Sequence, residues 1–223
     1  VMFALQHSAK HKIASNYGKS YYPSDYSPNA GWADYYGNED FFKAYPNDDR
    51  KEWNYMTEWK IKSGEIIPYT ESADKLPAIS KYYDYDEGAP GKSAQSNGIT
   101  CIYRYAEVLL MYAEASTRAT NSVNQDALNA IQEVQKRAGY QNRQIELTTT
   151  TEPAAFLTAV SNERGWEFFA EMKRWFELVR LEKVKEVRAE EWDASTFNTN
   201  HHYYFPVPYQ QVDLAGWTNN AGY

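Results

Sequence analysis

The chain has a single cysteine, Cys101, which excludes an internal disulfide and any cysteine-based zinc site. No apolar run reaches the ~18 residues that a bilayer-spanning helix requires. No cluster of lysine and arginine is present and the formal net charge is −7. A phosphate backbone would therefore be repelled, and nucleic-acid binding is not expected. The same acidity gives no attraction to anionic lipid. Gly-x-Gly-x-x-Gly, Gly-x4-Gly-Lys, His-Glu-x-x-His and Gly-x-Ser-x-Gly are all absent, which removes the common nucleotide, zinc-protease and serine-hydrolase chemistries. Neither an initiator methionine nor a signal peptide opens the sequence. Val1, Phe3 and Leu5 instead alternate with Met2, Ala4 and Gln6, a strand pattern already under way. Val1 is therefore not expected to be the natural start.

What the sequence does have is aromatic rings. They make up 16% of the residues, including 20 tyrosines and 7 tryptophans. That exceeds what a core of this size uses, and an excess of tyrosine points to surfaces where a flat ring and a hydroxyl are both useful. The rings concentrate in residues 8–50, a stretch broken by Gly18, Pro23, Pro28, Gly31, Gly37 and Pro46 and without sustained helical or strand period. Such a stretch is too aromatic for disorder and predicts an ordered, ring-rich loop. Trp53, Tyr55, Thr57, Trp59 and Ile61 then alternate with polar or flexible residues. With a turn at Lys62-Ser63-Gly64 and a return over 65–69, they predict a β-hairpin. Residues 70–98 read as loop.

From residue 99 the pattern becomes helical. A central helix is expected over 102–118, with Thr100 as a candidate N-cap. Tyr105, Val108, Leu109, Tyr112, Ala113 and Ser116 share one face, and Ala106, Leu110 and Met111 widen it. Arg104 and Glu107 interrupt this helix three residues apart and are expected to pair. Asn124 caps a second helix over about 125–138, stopped by Gly139, so the two should form an antiparallel hairpin. A third helical region begins at Thr151-Glu152-Pro153 and is expected to continue, bent, to about Glu186. Residues 190–223 read as an irregular tail.

Few residues are arranged for catalysis. His7 and His11 lack a third metal ligand, and His201 and His202 are adjacent, so their side chains diverge. Glu163, Glu167 and Glu171 lie on one helical stripe, but no histidine follows any of them at the spacing a di-metal carboxylate site uses; with Arg164, Arg174 and Arg180 interleaved, they read as structural ion pairs. No metal or cofactor is expected. The ring-rich loop has the better claim. A sugar presents a flat patch of C–H bonds that stacks on Trp or Tyr, while Ser24, Asp25, Asn29, Asp34, Asn38 and Asp40 offer hydrogen-bonding partners. The competing reading is a loop that folds on its own rings as a small satellite core.

Several segments together resemble the SusD/RagB family. Arg104-Tyr105-Ala106-Glu107-Val108-Leu109-Leu110-Met111-Tyr112-Ala113-Glu114-Ala115 is similar to that family's Arg-Tyr-Ala-Glu-Val-Leu-Leu-Met-Tyr-Ala-Glu-Ala helix. Glu163-Arg164-Gly165-Trp166-Glu167-Phe168 with Arg174-Trp175-Phe176-Glu177-Leu178 resembles its Glu-Arg-Arg-Trp-Glu-Leu … Arg-Trp-Phe-Asp-Leu signature. Asn47-Asp48-Asp49-Arg50 resembles its Asp-x-Arg element. Phe205-Pro206-Val207-Pro208 and Asn220-Ala221-Gly222-Tyr223 resemble its Pro-Ile-Pro and Gln-Asn-Pro-Gly-Tyr ending. The chain departs at Gly165, where an arginine is usual, at Met172, where a glycine is usual, and at Ala221 in place of proline.

The resemblance covers the C-terminal half of such a protein. It implies a mainly α fold of tetratricopeptide-like helix pairs (an α-α superhelix), with a loop-rich subdomain carrying a short β-hairpin. The loop-rich part would be 1–98 and the helical part with its tail 99–223. The resemblance implies a non-catalytic, surface-exposed lipoprotein on the extracellular face of the outer membrane, anchored through lipid on an N-terminal part that also carries the signal peptide. The protein would bind an oligo- or polysaccharide and deliver it to a SusC-like TonB-dependent transporter. By region, the ligand rings would be Trp32, Tyr35 and Tyr36 with Tyr21, Tyr22 and Tyr26. Two alternatives stand beside it: a helical-repeat module that binds protein instead of glycan, and a glycoside hydrolase using carboxylates such as Asp25, Asp34 and Asp40.

Overall fold

The computed structural model describes residues 1–8, 10–27, 30–83, 97–139, 146–187 and 202–223. The alternation at the N-terminus forms β1 (Phe3–Gln6). Three short helices punctuate the ring-rich stretch: α1 (Tyr17–Tyr21), α2 (Glu39–Ala44) and α3 (Asp49–Asn54). Asn38 caps α2 by accepting from Phe41 N–H, and Asp48 caps α3 by accepting from Arg50 N–H. That cap explains a departure from the expected hairpin. Asp48 starts a helix that swallows Trp53, so the strand pattern begins only at β2 (Tyr55–Met56).

The hairpin itself is β3 (Glu58–Lys60) and β4 (Ile66–Pro68), with Trp59 opposite Ile67. Gly64 turns the chain at φ 92°, a left-handed backbone that glycine alone adopts without strain. β2 pairs instead with β5 (Ala78–Ile79), and β1 pairs antiparallel with β6 (Ile99–Tyr103).

That last pairing also moves the central helix. Residues 99–103 are strand, Thr100 lies within it, and Arg104 takes the N-cap position of α4 (Tyr105–Thr120). α5 (Gln125–Ala138) follows after a turn through Asn121 at φ 47°, and Asn124 accepts from Ala127 N–H as its cap. α6 (Pro153–Glu167) starts at Glu152, whose carboxylate accepts from Ala154 and Ala155 N–H. The expected continuation to Glu186 breaks after Glu167. Ala170 and Met172 adopt φ 58° and 60°, which no helix accommodates. Met172 thus occupies, with a side chain, a backbone conformation that suits the glycine usual there.

Two compact units result, Val1–Glu171 and Met172–Tyr223. In the first, Leu110 and Ala113 of α4, Ala127, Ala130, Ile131 and Val134 of α5, and Phe156 and Val160 of α6 form the core with Phe168. The buried stripe of α4 is therefore Leu110, Ala113, Glu114 and Thr117. It is rotated from the expected one, which shares Ala113 with it and reaches Leu110 only at its widened edge. The second unit holds α7 (Arg174–Arg180), α8 (Val184–Val187) and α9 (Tyr209–Ala215). Here the two tail segments grip each other. Asn219 Oδ1 accepts from Val207 N–H at 2.8 Å, Asn220 Nδ2 donates to Phe205 O at 2.6 Å, and Tyr223 Oη donates to Tyr204 O at 2.9 Å.

The first unit is registered by a chain of ion pairs. Arg50 on α3 meets Asp48 (2.6 Å), Glu163 (2.6 Å) and Glu167 (3.0 Å). Arg104 meets Glu167 (2.6 Å) and Glu171 (2.7 Å), Lys81 meets Glu171 (2.7 Å), and Arg137 closes on Glu167. The expected Arg104–Glu107 pair does not form. At the N-cap, Arg104 points to α6, and Glu107 lies 4.0 Å from Arg164 instead. Of the expected stripe, Glu163 and Glu167 lie on α6 and Glu171 lies beyond its end, yet all three close on cations from other elements.

Burial, the largest influence on Glu167, pushes its carboxyl up, but Arg104, Arg137 and Arg50 together hold it below the usual range. For Glu163 burial wins over Arg50 and the carboxyl is raised. A lowered carboxyl pKa means that the unfolded chain takes up the proton more readily. Glu167 therefore contributes stability above about pH 4.3, lost as pH falls further, whereas Glu163 opposes this trend. Arg50→Ala, which strands Glu163, should cost roughly 3–5 kcal/mol, read as a lowered thermal midpoint. Glu167→Gln should destabilise at neutral pH and flatten the acid limb of the stability–pH curve.

Candidate functional site

The segment after α1 folds back along it. Gly31 N–H donates to Pro23 O (2.8 Å), Trp32 N–H to Lys19 O (2.8 Å), Ala33 N–H to Tyr22 O (3.1 Å) and Asp34 N–H to Ser20 O (2.9 Å). The approach is close enough that a Cβ on Gly31 would lie 1.9 Å from Tyr22 O. Beneath this seam, tyrosines pack on tyrosines. Tyr21 stacks on Tyr82 at 5.7 Å and meets Tyr35 at 5.6 Å, while Tyr22 meets Tyr26 at 5.3 Å and Tyr83 at 5.5 Å. Trp59 Nε1 donates to Asp25 (2.7 Å), and the Tyr26 and Tyr83 hydroxyls lie 3.1 Å apart. A second ring cluster joins Phe42, Tyr45, Tyr55 and Phe169, and Tyr45 Oη donates to Trp166 O at 2.6 Å.

The six candidate rings therefore divide. Tyr21 and Tyr22 are 5% exposed and present no face to a ligand; they are the satellite core. Tyr26 and Tyr36 are half-buried, and the Tyr36 hydroxyl donates to Asp74. Trp32 and Tyr35 stand at 51% and 58% exposed. The interior rings pack as a satellite core, and Trp32 and Tyr35 stand exposed on it. Lys19 was not anticipated; its ammonium lies 5.3 Å from the Trp32 ring. The fold-back that bonds Trp32 N–H to Lys19 O brings it there, so no sequence spacing could have found it.

Burial raises the Tyr21 hydroxyl above its ordinary range, and burial together with Asp74 raises that of Tyr36. The phenols stay neutral and remain donors. Of the carboxylates considered for hydrolysis, Asp25 holds the Trp59 indole and Asp40 sits in the first turn of α2, where it complements the helix N-terminus. His7 is engaged with Thr100 (2.8 Å); His201 lies outside the described residues. Two clefts open along the ion-pair chain. One of about 620 Å³ is lined by Arg50, Glu163 and Trp166, and one of about 420 Å³ by Trp53, Lys81 and Arg137. None of the six candidate rings lines either.

The sequence profile described as the SusD family matches residues 59–223. The chain belongs to the SusD family. SusD-like protein P2 of Formosa agariphila is 28% identical over 200 residues, 81% of this chain and 39% of that protein. A SusD homolog from Bacteroides thetaiotaomicron superposes with a TM-score of 0.78 at 19% identity, over 100% of this chain and 52% of that one. Surface glycan-binding protein A from Bacteroides uniformis gives 0.71 at 22%, over 98% and 48%. The chain thus spans about half the length of these solved proteins and less of the curated relative. Three of the segments that carried the resemblance, those of Asp48 and Arg50, Arg104, and Glu163 and Glu167, meet in the ion-pair chain. Their work is to hold the fold. The displayed rings lie in residues 1–58, outside the profile match.

Gly31→Ala should lower stability by about 1–3 kcal/mol, because the new methyl meets backbone that cannot yield. Thermal unfolding checks this, and a Trp32 fluorescence change at native temperature would report the displaced seam.

Proposed function

We propose that this SusD-family chain binds an oligo- or polysaccharide without catalysis, stacking sugar rings on Trp32 and Tyr35 with Tyr36 and Tyr26 beside them. The observation that carries the reading is the display of two rings, each about half exposed, on a base of buried tyrosines. Rings held by packing lose little freedom on binding, so contact area converts efficiently into affinity. Tyr36 and Asp34 flank the rings and supply hydrogen-bonding groups to sugar hydroxyls. Asp25 holds the Trp59 indole and Asp40 complements the start of α2, which supports binding over hydrolysis. By family membership we assign the protein to the extracellular face of the outer membrane, with a lipid anchor, and infer delivery of the glycan to a SusC-like TonB-dependent transporter.

Titration calorimetry of the complete gene product against an oligosaccharide panel tests the assignment. Trp32→Ala and Tyr35→Ala should each weaken binding about fivefold, on the scale of one ring contact. Tyr21→Ala should instead lower the thermal midpoint. Parental affinity in the Trp32 variant would remove the platform from the site, and release of reducing ends would restore the hydrolase alternative. Because burial and Asp74 raise the Tyr36 hydroxyl, which stays protonated, its contribution to affinity should be flat between about pH 7 and 9.

A further inference from the structure

The ion-pair chain is open on one side, where the cleft of about 420 Å³ reaches it. The groups at the mouth of that cleft differ in sign from those at its floor. The side chains of Glu167 and Glu171 are only 1% and 4% exposed, whereas those of Arg104, Lys81 and Arg137 are 16%, 21% and 59% exposed. Asp49, the third acid of the lining, sits in the first turn of α3, where the helix N-terminus favours it. An approaching ligand therefore meets cations first, on a chain whose net charge is −7. Two of these cations keep donors in reserve. Among the described residues Arg137 uses Nη2 on Glu167, and Lys81 Nζ donates to Glu171 Oε1 at 2.7 Å; a guanidinium and an ammonium each carry further N–H groups. Burial pulls the Lys81 ammonium below its ordinary range, and Glu171 restores only part of the loss. A second anion beside it would favour the charged form.

An aromatic ring completes the cleft. Trp53 lines it and is 57% exposed. Its distance from Lys81 is set by backbone contacts. Ser80 Oγ donates to Trp53 O (2.8 Å), Ser80 N–H donates to Asn54 O (3.0 Å), and the β2–β5 pairing of Tyr55 with Ile79 continues from there. Ring and ammonium are thus carried by one short sheet. An indole face suits the C–H patch of a sugar, and a guanidinium paired with an ammonium suits a planar carboxylate or a sulfate ester. A neutral sugar would leave the cations unused, and a bare inorganic ion would leave the ring unused. The volume lies in the range of about 300–1,000 Å³ usual for small-molecule sites. We propose that this cleft binds an acidic sugar, stacked on Trp53 with its carboxylate or sulfate group on Arg137 and Lys81. The proposal does not depend on the Trp32 platform, none of whose rings lines this cleft.

Cys101, the sole cysteine of the sequence, lines the same cleft and is partly exposed, so it reports occupancy locally, whatever the Trp32 platform binds. The test is the rate of Cys101 alkylation by iodoacetamide in the complete gene product, read from the mass of its peptide. Glucuronate and a glucose monosulfate are compared with glucose and inorganic sulfate. At least one acidic sugar should slow alkylation severalfold, and the one that does identifies the anion. Glucose and inorganic sulfate should have little effect at the same concentration, and added salt should weaken the protection. Arg137→Gln and Trp53→Ala should each raise the protecting concentration about tenfold. Glu167 keeps Arg50 and Arg104 in the Arg137 variant, so its fold should persist; if thermal unfolding shows otherwise, the wild-type comparison of the four probes decides. Protection by neither acidic sugar would overturn the proposal, as would equal protection by glucose or by inorganic sulfate. A Cys101 that does not react in the complete product without ligand would overturn it too, since the cleft would then be closed.

Discussion

A ladder of opposite charges holds the first unit in register. Arg50, Lys81, Arg104 and Arg137 come from a short helix, a loop, a helix cap and a long helix, and all close on carboxylates of Asp48, Glu163, Glu167 and Glu171. Desolvating so many ions gives back much of their Coulomb attraction, so the net gain in stability is modest. The consequence is specificity: each element can dock in one position only, because any slip leaves a buried charge without its partner. Phe168 reinforces this, with the guanidiniums of Arg104 and Arg164 4.8 Å and 5.4 Å from its ring centroid.

The ring-rich segment depends on that scaffold. Phe169, just beyond α6, packs on Tyr55, Tyr45 and Phe41, so the end of the helix anchors the loop system. Lys81, in the ladder, neighbours Tyr82, on which Tyr21 stacks. The exposed rings are thus positioned through two layers: a charged one that fixes the elements and an aromatic one that fixes the loop. A flexible loop bearing the same residues would lose more freedom on binding and present its rings less reproducibly.

The same logic divides the family segments by task. Those that resemble the family closely lie in the ladder and in the knot between the tail segments, where geometry tolerates little change. The displayed rings sit where a substitution alters a surface and leaves the packing intact. One scaffold can therefore carry different ligand platforms.

Local physics determined much of this protein from sequence alone. Asn124 as cap and Gly139 as stop set the bounds of α5, Pro153 placed the start of α6, and the turn at Gly64 placed the hairpin, because each depends on backbone groups within a few residues. Glu163 and Glu167, four apart on α6, were legible for the same reason. Tertiary structure decided what depends on partners distant in the chain. Pairing with β1 converted residues 99–103 to strand and handed Arg104 to α6. The core took Leu110 and Thr117 from a helix apolar on nearly every side, where periodicity could not choose a face. Six aromatic rings were separated into buried, half-buried and exposed by where Tyr82, Tyr83 and Lys19 pack. A residue type and its spacing specify what a side chain can do; its burial, which decides what it does, is a property of the whole fold.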